Sequence, residues 1–208
     1  MSADMTPFPA SFYARSALEV APELLGHCVV HDPPNGPRRV GRIVETEAYT
    51  EDDPAFHGWN ARDPETGELQ RTSRTADLFG PPGQSYVYLI YGMYWLLNVV
   101  TEPDGIGGGV LIRAVEPMEG IEAMRPNRPA AKRDVDLTNG PGKLTQALGI
   151  DDEAYHNVPL TEPPLYLARD PDAPTLEIVE SPRIGISKGT ERPWRFSVEK
   201  HPYVSVQP

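Results

Sequence analysis

The segment VGRIVETEAY carries two carboxylates and a phenol where a buried strand would carry apolar side chains. In an extended strand alternate residues share a face, so Ile43, Glu45, Glu47 and Tyr49 are expected to lie together. A carboxylate beside an aromatic ring can act as a general base that activates water. A solvated strand face explains most pairs of glutamates. The apolar context here favours burial instead, and a buried carboxylate needs a reason.

A second segment, YVYLIYGMYWLLN at positions 86–98, places four tyrosines and a tryptophan around one glycine. The strand-like runs SYVYLI and YWLLNVV flank the tripeptide YGM, a pattern that predicts a β-hairpin. Alternation puts Tyr86 and Tyr88 on one face, with Tyr91 near the turn. Such rings can sandwich a flat base, and an aromatic tip can fill the gap left by an extruded nucleotide. Aromatic cross-strand pairs in an ordinary sheet account for the spacing about equally well.

The segment EDDPAFH supplies Glu51, Asp52, Asp53 and His57 at short spacing. Oxygen ligands so arranged suit Ca²⁺ or Mg²⁺, but the ordered calcium-loop pattern is absent and a proline interrupts the acids. We therefore predict a solvated acidic turn, with no metal site and no cofactor. A lone histidine such as His57 is more often structural than functional.

Two further segments combine glycine with a basic side chain. In NGPGKLTQALGI, Asn139 and Pro141 predict the start of a helix. Gly142 and Lys143 follow where backbone N–H groups face an anion, although an ordinary capped helix is the default explanation and the Walker pattern is absent. In GIGGGVLIR, Arg113 on a predicted strand either forms an ion pair at the core edge or contacts a ligand.

The remaining patterns indicate one domain of mixed α and β structure. SALEVAPELLG and MEGIEAMR predict helices, and HCVVH and GGGVLIRAVEP predict strands. The stretch 50–84 is polar, rich in glycine and proline, and long enough to suggest a functional loop. Near the C-terminus LEIVE, RIGIS, WRFSVE and YVSVQ predict short strands. Neither a repeat nor a linker is visible.

Composition limits the class of protein. The chain has 208 residues, of which 24 are proline and 18 glycine, and its only cysteine excludes an intrachain disulfide. Without a signal-peptide pattern or a run of apolar residues long enough to span a bilayer, we expect a cytoplasmic protein with no membrane partner. A net charge of −11 alone argues against nucleic acid. The basic clusters RRVGR, QRTSRT and RPNRPAAKR still permit a basic face.

Taken together, these motifs resemble the alkyladenine (3-methyladenine) DNA glycosylase family. The resemblance rests on LLGHCVV, GRIVETEAY with DDPAFH, RTSRTADLFGPPGQSYVYLIYGMYWLLNVV, GVLIRAVEPMEGIEAMR and NGPGKLTQALGI. It covers roughly residues 12–150, and it is weaker in the C-terminal segments. Their order and spacing are more specific than any one motif.

The resemblance implies an α+β fold in a single domain, residues 1–208. A curved, mostly antiparallel sheet with surrounding helices would carry a protruding β-hairpin. It also implies a monomeric, nucleoid-associated enzyme of base excision repair. Its partner would be double-stranded DNA containing damaged purines, bound in the minor groove. The damaged purine would be flipped into a pocket and its N-glycosidic bond hydrolysed.

The same resemblance assigns roles to individual residues. Glu47 would be the general base, with Arg113 near the catalytic water and phosphate. The substrate-binding residues would be Tyr49, His57, Tyr86, Tyr88 and Asn98. Within this set, the rings of Tyr49 and Tyr88 stack on the flipped base, and Asn98 crowds the amino group of guanine. The DNA-binding residues would be Tyr91, Met93, Thr72, Arg74, Gly142 and Lys143, with Tyr91 filling the gap in the duplex.

Three features of this chain depart from the family pattern. The stretch GWNARDPETGELQ after His57 resembles an insertion, Gly142 stands where some relatives have serine, and the pI is acidic. These differences bear on DNA affinity and on the range of lesions. No lysine is close in sequence to Glu47, so we predict a monofunctional hydrolase rather than a Schiff-base lyase. A non-catalytic DNA-binding protein and a hydrolase of small nucleosides are the alternatives.

Overall fold

The computed structural model describes residues 5–70 and 74–208. Within these ranges nine strands form one sheet in the order β1-β7-β2-β3-β6-β5-β4, and β9 pairs with both β3 and β8. All pairs are antiparallel. The strands are β1 (Thr6–Pro7), β2 (Cys28–His31), β3 (Arg39–Thr50), β4 (Ser85–Ile90), β5 (Tyr94–Val100), β6 (Gly108–Glu119), β7 (Leu165–Arg169), β8 (Ile178–Ser181) and β9 (Arg195–Val198).

Short helices accompany the sheet. They are α1 (Ala10–Tyr13), α2 (Ala17–Glu23), α3 (Ile121–Met124), α4 (Val135–Thr138) and α5 (Pro141–Leu148), with 3-10 turns at Arg74–Phe79 and Glu153–Tyr155. The start of α2 is fixed by a capping box, in which Ser16 and Glu19 bond each other's backbone amides. The predicted α+β class and antiparallel sheet are confirmed. The extent of the domain over residues 1–208 stays a prediction.

Strand β3 is the central strand of the sheet. One edge pairs with β6, while the other pairs first with β2 and then, at Glu45–Glu47, with β9. The segment Glu45–Glu47 therefore has a hydrogen-bonded strand on each side. The register with β6 shifts between Ile43 and Glu45 and again before Thr46. Ile43 and its neighbour Val44 both pack in the main apolar core, so the alternation predicted from Ile43 onward breaks at this bulge.

Helix packing fixes which way the acidic segment of β3 faces. Helices α2 and α5 pack against the sheet, and the buried Thr46 hydroxyl donates to the Ala21 carbonyl of α2 at 2.9 Å. Glu45 and Glu47, the neighbours of Thr46, consequently point to the opposite face. The face towards α2 and α5 holds the main apolar core.

Strands β4 and β5 form the predicted antiparallel pair, from Ser85 opposite Val99 to Ile90 opposite Tyr94. The tip side chains of Tyr91 and Met93 are 82% and 62% exposed. That this hairpin projects from the body of the protein stays a prediction. Among the residues described, no helix combines the length and apolar character needed to cross a membrane.

Three predictions from local patterns are wrong. RIGIS and YVSVQ are not strands, because their backbones are used elsewhere: the Ile184 amide donates to Glu47 and the Ser205 amide to Glu45. Gly185, with a φ of 79°, also turns the first segment away from an extended path. Gly140 rather than Asn139 is the N-cap of α5, and the Asn139 side chain instead accepts from Lys143 Nζ at 2.8 Å.

Candidate active site

Glu47 is fully buried, and donor groups from three separate segments bind its carboxylate. Its Oε1 accepts from the Ile184 amide at 2.8 Å and lies 3.2 Å from Arg113 Nη1. Its Oε2 accepts from the Tyr49 hydroxyl at 2.8 Å. An ionised carboxylate without water is costly unless it is paired and hydrogen-bonded, and these contacts meet that requirement.

The three donors to Glu47 all border a cleft of about 830 Å³. This size is typical of a small-molecule site. The predicted catalytic and substrate-binding residues other than Glu47 line this cleft: Tyr49, His57, Tyr86, Tyr88, Asn98 and Arg113. Glu47 therefore lies directly behind the cleft wall, and the structure brings together residues that are up to 66 positions apart in the chain.

One wall of the cleft is aromatic. The His57 ring centre lies 4.9 Å from that of Tyr88, and Tyr86 and Tyr88 are 5.3 Å apart. The Tyr86 hydroxyl and His57 Nδ1 form a hydrogen bond of 2.7 Å, which fixes the histidine ring. Burial raises the pKa of Tyr88 to about 12 and raises the pKa of Tyr49 further. Both phenols are therefore neutral at physiological pH.

Asn98 lines the cleft and is only 8% exposed. Its Nδ2 donates to the Tyr86 carbonyl at 3.0 Å across the β4–β5 pair. The side chain is thus fixed by its sheet neighbour. A rigid amide at a cleft wall can exclude a ring substituent by shape.

A buried ion network supports Arg113 from behind. Its Nε donates to Glu45 Oε1 at 3.2 Å, and Arg195 Nη1 donates to the same oxygen at 3.0 Å. The amide and hydroxyl of Ser205 also donate to Glu45, at 2.7 and 2.9 Å. The two carboxylates of ETEAY are therefore both buried, and Arg113 connects them. The ion pair predicted for Arg113 is present and its side chain lines the cleft, while contact with a ligand stays a prediction.

The predicted solvated acidic turn is wrong for Asp53. This side chain is fully buried, because a buried ion pair with Arg183 replaces the solvent that the prediction assumed. Glu51 accepts from the Gly107 amide at 3.0 Å and pairs with Arg62, whereas Asp52 is 78% exposed. Within the described ranges, no group of three or more His, Cys, Asp or Glu side chains is placed to hold a metal ion.

The predicted DNA-binding residues fall partly around the mouth of the cleft. Tyr91 and Gly142 line it, while Met93 is exposed at the tip of the β4–β5 pair. A Cβ at Gly142 would lie 2.9 Å from Tyr94 Cβ, so a larger residue such as serine would collide with that ring. The close approach of Tyr94 gives a structural reason for glycine at this position.

The other three predicted DNA-binding residues do not line the cleft or are not fully described by the structure. Lys143 follows Gly142 in α5, and its Nζ is held by Asn139. Arg74 begins a 3-10 turn, but its side chain lies outside the described part of the chain. Thr72 lies outside the described residues altogether.

Sequence reasoning missed two residues of the site. Ile184 binds Glu47 through its backbone amide, which no side-chain pattern reveals. Lys188 lines the cleft, although it lies far from Glu47 in the chain. The prediction of a monofunctional hydrolase rested on lysines close to Glu47 in the sequence, whereas the segment between β8 and β9 brings Lys188 to the cleft from far along the chain.

Comparison with known proteins is consistent with this geometry. The family model for methylpurine-DNA glycosylase (MPG) matches residues 11–202. A relative from Salinibacter ruber is 56% identical over 97% of both chains. Relatives from Burkholderia lata (45% identical; 95% of this chain and 90% of the relative) and Bacillus mycoides (46%; 95% and 98%) are also similar. The curated name of all three is "Putative 3-methyladenine DNA glycosylase".

The fold and cleft define an α+β protein with a buried carboxylate behind an aromatic-walled pocket. The chain belongs to the methylpurine-DNA glycosylase family. This agrees with the resemblance found in the sequence motifs.

Proposed function

We propose that the protein is a monofunctional DNA glycosylase that removes damaged purines from double-stranded DNA. It flips an alkylated or deaminated purine into the cleft and hydrolyses its N-glycosidic bond, leaving an abasic site. The observation that carries the proposal is the fully buried Glu47, held at 2.8 Å by both Tyr49 and Ile184 beside the aromatic cleft.

The contacts of Glu47 suit a general base. Arg113, Tyr49 and Ile184 fix the carboxylate in one orientation, and all three border the cleft. A water in the cleft beside Glu47 would lose a proton to it as the oxygen attacks C1′ of the flipped nucleotide. The same negative charge offsets the positive charge that develops on the sugar as the bond breaks.

The cleft walls suit a flat purine. Tyr49 and Tyr88 both border it and offer ring faces for stacking, while His57 and Tyr86 form a fixed polar edge. Alkylation at N3 or N7 gives the purine a positive charge, which improves it as a leaving group and as a partner for tyrosine rings. Asn98 would crowd the exocyclic amino group of guanine, so that undamaged guanine is rejected. A guanine is then cleaved only when alkylation, as in 7-methylguanine, has made it a better leaving group.

Tyr91 would act on the duplex. It borders the cleft and is the most exposed of its tyrosines, so its ring can occupy the gap left by the flipped nucleotide. Lys188 at the cleft and Lys143 next to the cleft residue Gly142 would supply positive charge for the DNA phosphates. The protein would act as a monomer in the cytoplasm, associated with the nucleoid.

One assay separates this function from its alternatives. The protein is incubated with a duplex containing one hypoxanthine, and abasic sites are then cleaved with alkali. We expect strand breaks that are lost in Glu47→Gln. Tight binding of the duplex without breaks would instead identify a non-catalytic binder, and release of base only from free inosine would identify a nucleoside hydrolase.

The monofunctional assignment has its own control. Because Lys188 borders the cleft, borohydride is added during the reaction to trap any Schiff base. We expect no covalent protein–DNA adduct. An adduct that forms in the wild type and disappears in Lys188→Gln would overturn the hydrolytic assignment and establish a lyase.

A further inference from the structure

A buried ion pair lies behind the Tyr49 wall of the cleft. Asp53 is fully buried and Arg183 is 5% exposed. Arg183 Nη2 donates to Asp53 Oδ1 at 3.0 Å, and Nη1 bonds Oδ2 of the same carboxylate. Nη1 also donates to the Ala48 carbonyl at 2.9 Å, immediately before Tyr49 in β3. The guanidinium is therefore rigidly positioned.

The guanidinium carbon of Arg183 lies 4.5 Å from the centre of the Tyr49 ring. Tyr49 borders the cleft, whereas neither Arg183 nor Asp53 does. The guanidinium therefore occupies one ring face, and a ligand in the cleft must stack on the other. The Trp194 ring also packs on Arg183, with its centre 5.2 Å from the guanidinium carbon.

This arrangement has an electrostatic consequence for the ligand. A cation on one face of a ring competes with a second cation for the same π-electron density. Repulsion across the ring is only weakly screened, because the Tyr49 ring itself lies between the charges. An unopposed Arg183 would thus disfavour a cationic purine on Tyr49 and leave a neutral purine almost unaffected.

We propose that Asp53 sets the charge preference of the cleft by neutralising Arg183, so that Tyr49 accepts cationic as well as neutral purines. This inference rests on the proposed function. Stability alone does not require the pair, since apolar residues of similar volume often replace a buried ion pair without loss. Asp53 and Arg183 act through Tyr49 and are specificity-determining residues that do not touch the substrate.

The test compares two lesions in one preparation of enzyme. Single-turnover excision is measured on duplexes containing 7-methylguanine, which is cationic, or hypoxanthine, which is neutral. Asp53→Asn should lower the ratio of the 7-methylguanine rate to the hypoxanthine rate roughly three- to tenfold, the scale of one weakly screened charge at this separation. The double variant Asp53→Asn/Arg183→Gln, which removes both charges, should return the ratio to within about twofold of wild type.

Asp52→Asn is the matched control. It makes the same substitution one residue earlier, where the carboxylate is 78% exposed and pairs with Arg192. Its ratio should equal that of the wild type. Because both rates come from the same sample, an unfolded fraction cancels from the ratio.

Arg183→Gln gives an independent check with the opposite sign. It leaves the carboxylate alone behind the ring, so the ratio should rise. Equal losses on both lesions in the single variants would overturn the proposal and leave the pair a purely structural role. Failure of the wild type to excise either lesion would instead overturn the proposed function.

Discussion

Glu45 and Glu47 are two carboxylates on the same strand, both fully buried and both paired with Arg113, yet their surroundings differ. Glu45 is bound by Arg195 and by the amide and hydroxyl of Ser205, all from the C-terminal part of the chain. Each donor to Glu47 borders the cleft. Burial therefore does not distinguish Glu47, the proposed general base, from Glu45.

The two carboxylates differ in the location of the residues that bind them. The partners of Glu45, apart from Arg113, connect β3 to β9 and to the C-terminal segment, so they hold the fold together. Those of Glu47 line the cleft, where a ligand can contact them. Four substitutions test this difference between Glu45 and Glu47.

Glu47→Gln should have the largest effect on the reaction. The amide cannot take a proton from water, so the single-turnover excision rate should fall by roughly 10²- to 10⁴-fold, the usual contribution of a general base. Arg113 keeps Glu45 as a partner, so the loss of stability should be moderate. A rate within threefold of wild type would show that Glu47 is not the base.

Glu45→Gln should act mainly on stability. Among the described residues, Glu45 is the only carboxylate paired with Arg195, and breaking a buried pair costs about 3–5 kcal/mol. Urea unfolding should show this loss, while the excision rate per folded molecule stays far above that of Glu47→Gln. If the fully folded Glu45→Gln variant excised the lesion as slowly as Glu47→Gln, the proposal that only Glu47 acts in catalysis would be wrong.

Tyr49→Phe tests the cleft-side hydrogen bond of Glu47. It removes the 2.8 Å bond but keeps the ring for stacking. We expect the excision rate to fall about tenfold, the scale of one hydrogen bond to a charged group, and the affinity for damaged duplex to be unchanged. Weakened binding at an unchanged rate would mean that the hydroxyl serves the ligand rather than Glu47.

Ser205→Ala should have the smallest effect. It should change only the stability that depends on the contacts of Glu45. It removes one of the two bonds from Ser205, so unfolding free energy should fall by about 1 kcal/mol with no change in rate. Ser197→Ala is the control, because that buried hydroxyl has no hydrogen-bond partner within the described ranges. Equal losses in the two variants would indicate a packing effect.

The central strands could be predicted because they agree with local patterns. β3, β4, β5 and β6 contain the apolar, aromatic and β-branched runs that favour strands. The C-terminal segments could not be predicted, because RIGIS and YVSVQ have strand-like composition but bind β3 carboxylates through single amides. Such tertiary hydrogen bonds override the local preference for strands, and no sequence pattern indicates them.

The site was predictable as far as it depends on side chains in motifs. Tyr49, His57, Tyr88, Asn98 and Arg113 all came from segments of the resemblance, and all line one cleft. The buried Asp53–Arg183 pair could not be found, because its partners are 130 residues apart and Asp53 lies in a segment that looks solvated. Long-range ion pairs require the fold.

The most direct test is a crystal structure of Glu47→Gln bound to a duplex containing hypoxanthine. We expect the hypoxanthine base between Tyr49 and Tyr88, its C1′ facing residue 47, and the Tyr91 ring in the gap of the duplex. A complex in which the lesion stays stacked in the helix, with the cleft empty, would contradict the proposed role of Glu47 and the cleft.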